Sequence, residues 1–414
     1  MLPNVKINFT NGAIGSVEPM DDGCTALIHS ATAVTGSGTF ALDTPYLLTC
    51  LKDLEDLGVT DTNNLMMYRQ VADFYSEAPK GTHLWLMGVA APTPSTPGDG
   101  TEGSGTTGTN ALAFLATATE GTACQLLRTA QGEVRLLAVD EKLFGSETID
   151  DIADALQALC EGATTTLYAP CMALTTHADS STTITALNDL DCDRVTIVNA
   201  YYSVASGSDS TVDTPALGLA TGRLAAYPVH HNLACVKNGC LCRDDLKVSY
   251  NNARYEPSQL TRLDDLHTNA YITPRTFIGL KGQYWNDDRL CTALADDYAY
   301  ITRRRTIDKA YRVAYQTLVT ELGDHVPVTN QGNPVAAYCK AIETKVETAI
   351  ANNLTASGNL GTDPQDPNDL GVRCSVDTEQ NILQTSRLDI TLQVKPYGYA
   401  RYIDVALGFL VNND

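Results

Sequence analysis

The sequence predicts an α/β or mixed α+β protein, and three patterns carry that expectation. Short β-rich runs alternate with segments whose apolar residues recur at helical spacing. Two long amphipathic stripes occupy the last third of the chain. Period-two alternation marks both ends.

In chain order, Val5, Ile7 and Phe9 alternate as a short strand would. Asp43-Thr44-Pro45 is read as opening a helix that carries Leu48, Leu51, Leu54 and Leu57, with Gly58 placed to stop it. Leu65, Tyr68, Ala72 and Tyr75 continue at helical spacing, and His83–Ala90 reads as a buried strand. Thr148 begins a TxxD capping box ahead of Ile149, Ile152, Leu156 and Leu159. The runs Thr164–Ala169 and Arg194–Ala200 are β-rich, of the kind found in a covered sheet.

Residues 91–110, 203–215 and 355–371 are rich in Pro, Gly, Ser, Thr and Asp, and read as loops. Ile307, Tyr311, Ala314, Leu318 and Leu322 form one helical stripe. After Asn333-Pro334, Val335, Tyr338, Ile342, Val346 and Ile350 form another. Leu388, Ile390, Leu392 and Val394 then alternate, Pro396 interrupts, and Ile403, Val405, Leu407, Phe409 and Val411 alternate again. Strand-like ends are unusual, because chain ends are commonly polar and frayed. Either these strands pair within their own domain or they add to the sheets of neighbouring copies.

Composition narrows the function. The 414 residues carry 28 Lys and Arg against 49 Asp and Glu, a net charge of −21. Such acidity opposes approach to nucleic acid or an anionic membrane surface. Mean hydropathy is −0.12, and no window holds the ~18 consecutive apolar residues of a membrane span. The opening MLPNVKINFTNG lacks an apolar secretion region, so the expectation is a protein made in the cytoplasm. Twelve cysteines in a chain of this length are expected to be reduced, mostly buried thiols. Acidity concentrates in residues 90–220, with 17 acidic and four basic side chains, whereas residues 301–350 carry five acidic and seven basic ones. A solvated acidic surface and a separate contact-making part would produce this pattern, as would ordinary surface variation.

No catalytic motif is found. The glycine-rich 98–108 segment lacks the Lys-Ser/Thr ending of a phosphate loop, and no GxSxG, HExxH or post-strand GxGxxG is present. His230, His231, Cys235, Cys240 and Cys242 lie close in sequence, but the spacing does not match common zinc sites. Cys240 and Cys242 are instead expected on one face of a strand. Residues 363–371 lack the EF-hand pattern. The expectation is therefore no enzyme, no catalytic residue, no metal and no cofactor.

The order of segments nevertheless resembles the contractile tail sheath proteins of phage tails and phage-like injection machines. The likeness is carried by Gly12-Ala-Ile-Gly15 and Gly23-Cys-Thr-Ala-Leu-Ile-His-Ser30, then the helices after Thr44 and the strand at 83–90. It continues through Asn269-Ala-Tyr-Ile-Thr-Pro-Arg275, Gly279-Leu-Lys-Gly-Gln-Tyr-Trp285 and Asp296-Asp297-Tyr298 into Arg303-Arg-Arg305. It ends with Leu388–Val394 and Tyr402–Val411 around Pro396. Residues 91–224 contribute no motif to it.

The resemblance implies a two-domain sheath subunit with mixed sheets, flanking helices and extended terminal β-arms. Residues 1–20 would form an N-terminal arm joining the inner domain, 21–264 an outer α/β domain, and 265–414 the inner domain with a C-terminal arm. Val5, Ile7 and Phe9, with Ile403, Val405, Leu407, Phe409 and Val411, would be donated to neighbours. Arg303, Arg304, Arg305, Lys340 and Lys345 would face an inner tube, unless the arginines pair with Asp296, Asp297 or Asp308 in the same subunit. Implied partners are further copies in stacked rings, an inner tube, and baseplate and terminator or cap proteins. Neither nucleic acid binding nor membrane insertion is implied. Assembly would take place in the bacterial cytoplasm, before incorporation into a virion tail or injection particle. Alternatives are another phage component, such as a tube or capsid subunit, and an α/β enzyme with an unrecognised site.

Overall fold

A computed structural model of the protein describes residues 21–36, 38–92, 112–116, 121–178, 183–206, 210–259 and 261–409. The chain forms two compact units, Met1–Tyr315 and Gln316–Asp414.

The first unit is built on a six-stranded sheet ordered β2-β3-β1-β4-β5-β6. Its strands are β1 (Thr25–Ser30), β2 (Tyr46–Leu48), β3 (Leu84–Val89), β4 (Leu136–Val139), β5 (Met172–Thr176) and β6 (Val195–Val198). Only β2 runs antiparallel, at the edge, with Leu47 opposite Trp85. The others are parallel, with Thr25 aligned to Leu84 on one side and Leu136 on the other. Every residue of β4, β5 and β6 is buried, as expected for strands covered on both faces.

Helices cover the two faces. These are α1 (Leu51–Asp56), α2 (Leu65–Glu77), α3 (Thr122–Thr129), α4 (Ile149–Thr166) and α5 (Leu217–Ala226). Successive strand residues point to opposite faces and feed two cores. Ile28, Leu137, Ala173 and Val195 join Leu126, Ile152, Leu156 and Leu159. Leu27, Leu86, Leu136 and Leu174 join Val71, Phe74, Leu219 and Leu224. α2 and α5 meet closely because Gly218 and Gly222 carry no side chain. A Cβ on Gly218 would fall 2.1 Å from the Gln70 carbonyl oxygen.

The unit is completed by hairpin β7 (Tyr201–Ala205) and β8 (Thr211–Pro215), hairpin β9 (Val248–Tyr250) and β10 (Ala253–Tyr255), helix α6 (Leu263–Thr268), and the short pair β11 (Pro274–Arg275) and β12 (Tyr284–Trp285). Buried Tyr202 donates its hydroxyl to Asp73 on α2, and the Arg243 guanidinium lies 3.7 Å from the Tyr202 ring centroid. Burial lifts the Asp73 carboxyl to about 6, against the opposing effects of Tyr202 and Arg243. Helix α7 (Ile301–Leu318) begins where buried Asp288 accepts the Thr302 N–H at 3.2 Å.

The second unit holds the end of α7, α8 (Ala336–Ile350), β13 (Val372–Val376), α9 (Ile382–Thr385) and β14 (Ile390–Val394). Its small core contains Cys339, Ile342 and Val376, with Leu318, Tyr338, Leu388 and Ile390 against it.

The helices expected from apolar stripes form, although α7 ends at Leu318 and leaves Leu322 exposed, and Thr148 caps α4 by accepting the Asp151 N–H. Four local expectations are corrected. The helix expected from Thr44 starts only at Leu51, because Tyr46–Leu48 pairs with β3. Thr164–Ala169 is not a strand: Thr164 and Thr165 turn their hydroxyls back to the carbonyls of Cys160 and Glu161 and finish α4. Within the expected loop 203–215, the described residues form β7 and β8, with Val204 opposite Val212. Cys240 and Cys242 are exposed and lie on no strand. Their loop is held by Arg223, which donates to the carbonyls of Asn238, Gly239 and Cys240 while pairing with Glu77 at 2.7 Å.

Candidate subunit-contact site

Among the described residues the sheet of the second unit has two strands, and its two outer edges are treated differently. β13 and β14 pair from Val372 opposite Val394 to Val376 opposite Ile390. Lys395 N–H bonds Gly371 at 2.8 Å and Asp377 N–H bonds Asp389 at 3.1 Å, so the odd-numbered β13 residues face their partner strand. The N–H groups of Cys374 and Val376 therefore point outward. Both are taken by carboxylates of α8: Glu347 accepts from Cys374 at 2.9 Å and Glu343 from Val376 at 3.0 Å. Glu343 and Glu347 lie four apart and so share one helix face. The Val376 N–H, with Lys340 second, holds the Glu343 carboxyl below its ordinary range.

The outer edge of β14 has no such cover. By the same alternation, N–H and C=O of Ile390, Leu392 and Val394 face away from β13, and no described residue bonds to them. Beyond Pro396 the chain is extended. Tyr402, Ile403, Val405, Leu407 and Phe409 are between 77 % and 101 % exposed, and residues 402–409 form no strand. This departs from the period-two expectation for a physical reason: a strand needs a partner edge, and among the described residues no strand pairs with this segment. Val5, Ile7, Phe9 and Val411 lie outside the described residues.

The five basic residues named from the sequence separate into two groups. Arg304 is buried, bonds Asp193 at 3.0 Å and Asp308 at 2.9 Å, and stacks on Tyr298. Asp308 also takes Arg194 at 3.0 Å. Arg305 is buried and donates to the carbonyls of Asp22 and Tyr227. Burial brings its guanidinium down to about 10. These two arginines hold the first unit together and present no charge at its surface, which corrects their expected tube-facing placement. Arg303 stays at the surface over the Tyr300 ring, 5.1 Å away. Lys340 and Lys345 are exposed on α8, paired with Glu343 at 3.1 Å and with Glu321. Among the expected acidic partners, Asp308 receives Arg304, while Asp297 offers only its carbonyl, to Arg303. Sequence reasoning missed Glu343 and Glu347, whose four-residue spacing on a helix facing a strand was the available signal.

Two family models match the chain: "DUF2586, N-terminal domain" over residues 2–289 and "DUF2586, C-terminal domain" over residues 297–414. No curated protein matches. Solved structures do. A chain of the anti-feeding prophage baseplate matches at TM-score 0.63 and 15 % identity, covering 99 % of both chains. A chain of the PVC extracellular contractile injection system sheath, in its contracted state, matches at 0.56 and 13 %, covering 99 % of this chain and 97 % of the other. A sheath tail protein from Desulfitobacterium hafniense matches at 0.51 and 10 %, covering 90 % and 93 %. Over nearly its whole length the chain has the fold found in these contractile assemblies.

Proposed function

The chain belongs to the DUF2586 family, and from that premise we propose that it is the repeating subunit of a contractile sheath. It polymerises around an inner tube and contracts to drive the tube through a target envelope. The carrying observation is the tail at 402–409, whose apolar side chains alternate as in a strand while standing almost fully exposed. Such a segment is stabilised when another chain supplies a sheet edge, and the outer edge of β14 is one that a neighbouring copy presents. The match to assemblies of contractile machines supports the same reading.

On this reading the tube-side part comes from residues 1–20 and 265–414 and the acidic, solvent-facing part from 21–264, a division that runs through the first unit, whose core takes in Ile272, Trp285, Leu290 and Ile301. The N-terminal residues Val5, Ile7 and Phe9 are a second donated strand. Arg303, Lys340 and Lys345 face acidic groups on the tube. Baseplate and terminator proteins close the ends, and the particle forms in the bacterial cytoplasm. Contraction proceeds by rigid-body rotation of folded subunits, because a domain is stable by only ~5–15 kcal/mol and cannot release more than that by refolding. An arm making a few backbone hydrogen bonds at ~1 kcal/mol each is a modest link, which repetition along a polymer makes strong.

The test is truncation. Protein lacking residues 403–414 is expected to keep its circular dichroism and melting transition but remain unassembled in negative-stain images, whereas the full chain forms hollow tubes. Tubes from the truncated protein would refute arm exchange.

A further inference from the structure

Away from the contact edges, three strands of the first unit bring one metal-binding side chain each to the same end of the sheet. β1 and β3 are in register with Thr25 beside Leu84, and the Thr25 N–H bonds the His83 carbonyl at 3.1 Å. The residues one step earlier, Cys24 and His83, are therefore neighbours on the sheet face that carries Ala26 and Trp85. On the other side of β1, the Cys24 carbonyl accepts the Arg135 N–H at 2.9 Å. A turn through Gly132, with φ of +79°, leads into β4 and sets Glu133 beside the pair. Its carboxylate lies 3.5 Å from His83 Nδ1 and accepts the Trp85 indole N–H at 3.4 Å. The ligand atoms of Cys24, His83 and Glu133 all fall within 4.8 Å of one another.

We propose that Cys24, His83 and Glu133 form a three-ligand site for zinc. A thiolate, an imidazole and a carboxylate are the donor types that Zn²⁺ takes, at ~2.0–2.3 Å each, with water as the fourth ligand of a tetrahedron. The donor mixture discriminates against Mg²⁺ and Ca²⁺, which prefer all-oxygen shells. Cys24 is buried, His83 half-buried and Glu133 exposed, so the site has an inner anchor and an entry path. Trp85 fixes the carboxylate as an outer-shell donor, the arrangement that orients metal ligands. Binding deprotonates the Cys24 thiol, with the proton released to solvent.

The experiment uses the full chain carrying Cys240→Ser and Cys242→Ser, which removes the two exposed thiols, titrated with Co²⁺ alone. The expected result is one equivalent bound with a thiolate-to-cobalt charge-transfer band in the near ultraviolet, displaced by Zn²⁺. Cys24→Ser should abolish the band. His83→Gln, at a part-exposed position, should weaken binding at least tenfold, and Trp85→Phe about tenfold. If Cys24→Ser does not fold, the His83→Gln titration decides the matter. No thiolate band in the parent protein, or a band unaltered by the Cys24 and His83 changes, overturns the site.

Discussion

Glu343 Oε1 accepts the backbone N–H of Val376 at 3.0 Å, so a helix carboxylate occupies a position where another strand would otherwise dock. With Glu347 doing the same for Cys374, β13 is closed to strand addition and β14 is left open. Natural sheets protect edges in several ways, and a covering helix is one of them.

Replacing Glu343 and Glu347 together by Ala should expose two unsatisfied N–H groups, at about 1–2 kcal/mol for each charge-assisted bond lost. Hydrogen exchange at residues 374–376 should accelerate, and on the proposed function the tubes formed by the full chain should give way to irregular aggregates. Unchanged exchange at those amides would show that the carboxylates do not protect the edge.

The same bonds give a pH dependence. The Glu343 carboxyl is depressed in the folded chain, so its contribution is fully present above the ordinary glutamate value. It is lost as pH falls through the lowered folded value. Amide protection of Val376 should decline on acidification, and the decline should disappear in Glu343→Ala.

Asp73 should act with the opposite sign. Its folded value of about 6 lies above the ordinary aspartate value of 3.8, so the folded state holds a proton that the unfolded chain releases. Stability should therefore fall as pH rises from ~4 to ~6, by on the order of 2 kcal/mol. Asp73→Asn, which retains an acceptor for the Tyr202 hydroxyl, should remove that slope in urea titrations run across the range.

Asp308 receives both Arg194 and Arg304 in a buried setting. Asp308→Ala should cost about 3–5 kcal/mol, because it leaves buried guanidinium charge without its partner. Lys340→Glu and Lys345→Glu lie on the surface and should leave the denaturation midpoint little changed. On the proposed function those two changes weaken tube attachment, measured by co-sedimentation. Attachment unaffected by them would count against a lumenal α8.

Gly218→Ala should separate α2 from α5, since the new Cβ meets the Gln70 carbonyl at 2.1 Å, a backbone atom that cannot step aside. A loss of roughly 1–3 kcal/mol is expected, read as a lower melting temperature of the first unit.

What could be read from the residues was periodic. The stripes of α4 and α8 and the buried runs of β3 and β6 are set by local apolar spacing and emerged as expected. Helices α2 and α7 form where spacing placed them, but their buried faces carry Met67, Gln70, Val71 and Phe74, and Thr302, Arg304, Thr306 and Asp308, instead of the apolar stripe. Misreadings arose where a distant partner decides the outcome. Tyr46–Leu48 looks like the first turn of a helix until β3 is placed beside it. Ser203–Pro215 looks polar until Val204 is seen opposite Val212. The β-branched threonines after Ala163 suggested a strand, but their hydroxyls satisfy the carbonyls of a helix end. Glu343 and Glu347 bond residues about 30 positions downstream, and Cys24, His83 and Glu133 come from the segments leading into three separate strands. Spacing rules do not register such contacts. The arginine run was legible as charge and Asp308 as one candidate partner for it; Asp193, the other carboxylate on Arg304, lies 111 positions away and was not.

A sheet that can be extended on one side only confers polarity on whatever is built from it. Copies joined through β14 would all point the same way, as bricks with a single tongue and a single groove must. A cylinder made of them would begin and end on chemically different faces, and each rim would need its own dedicated closing protein.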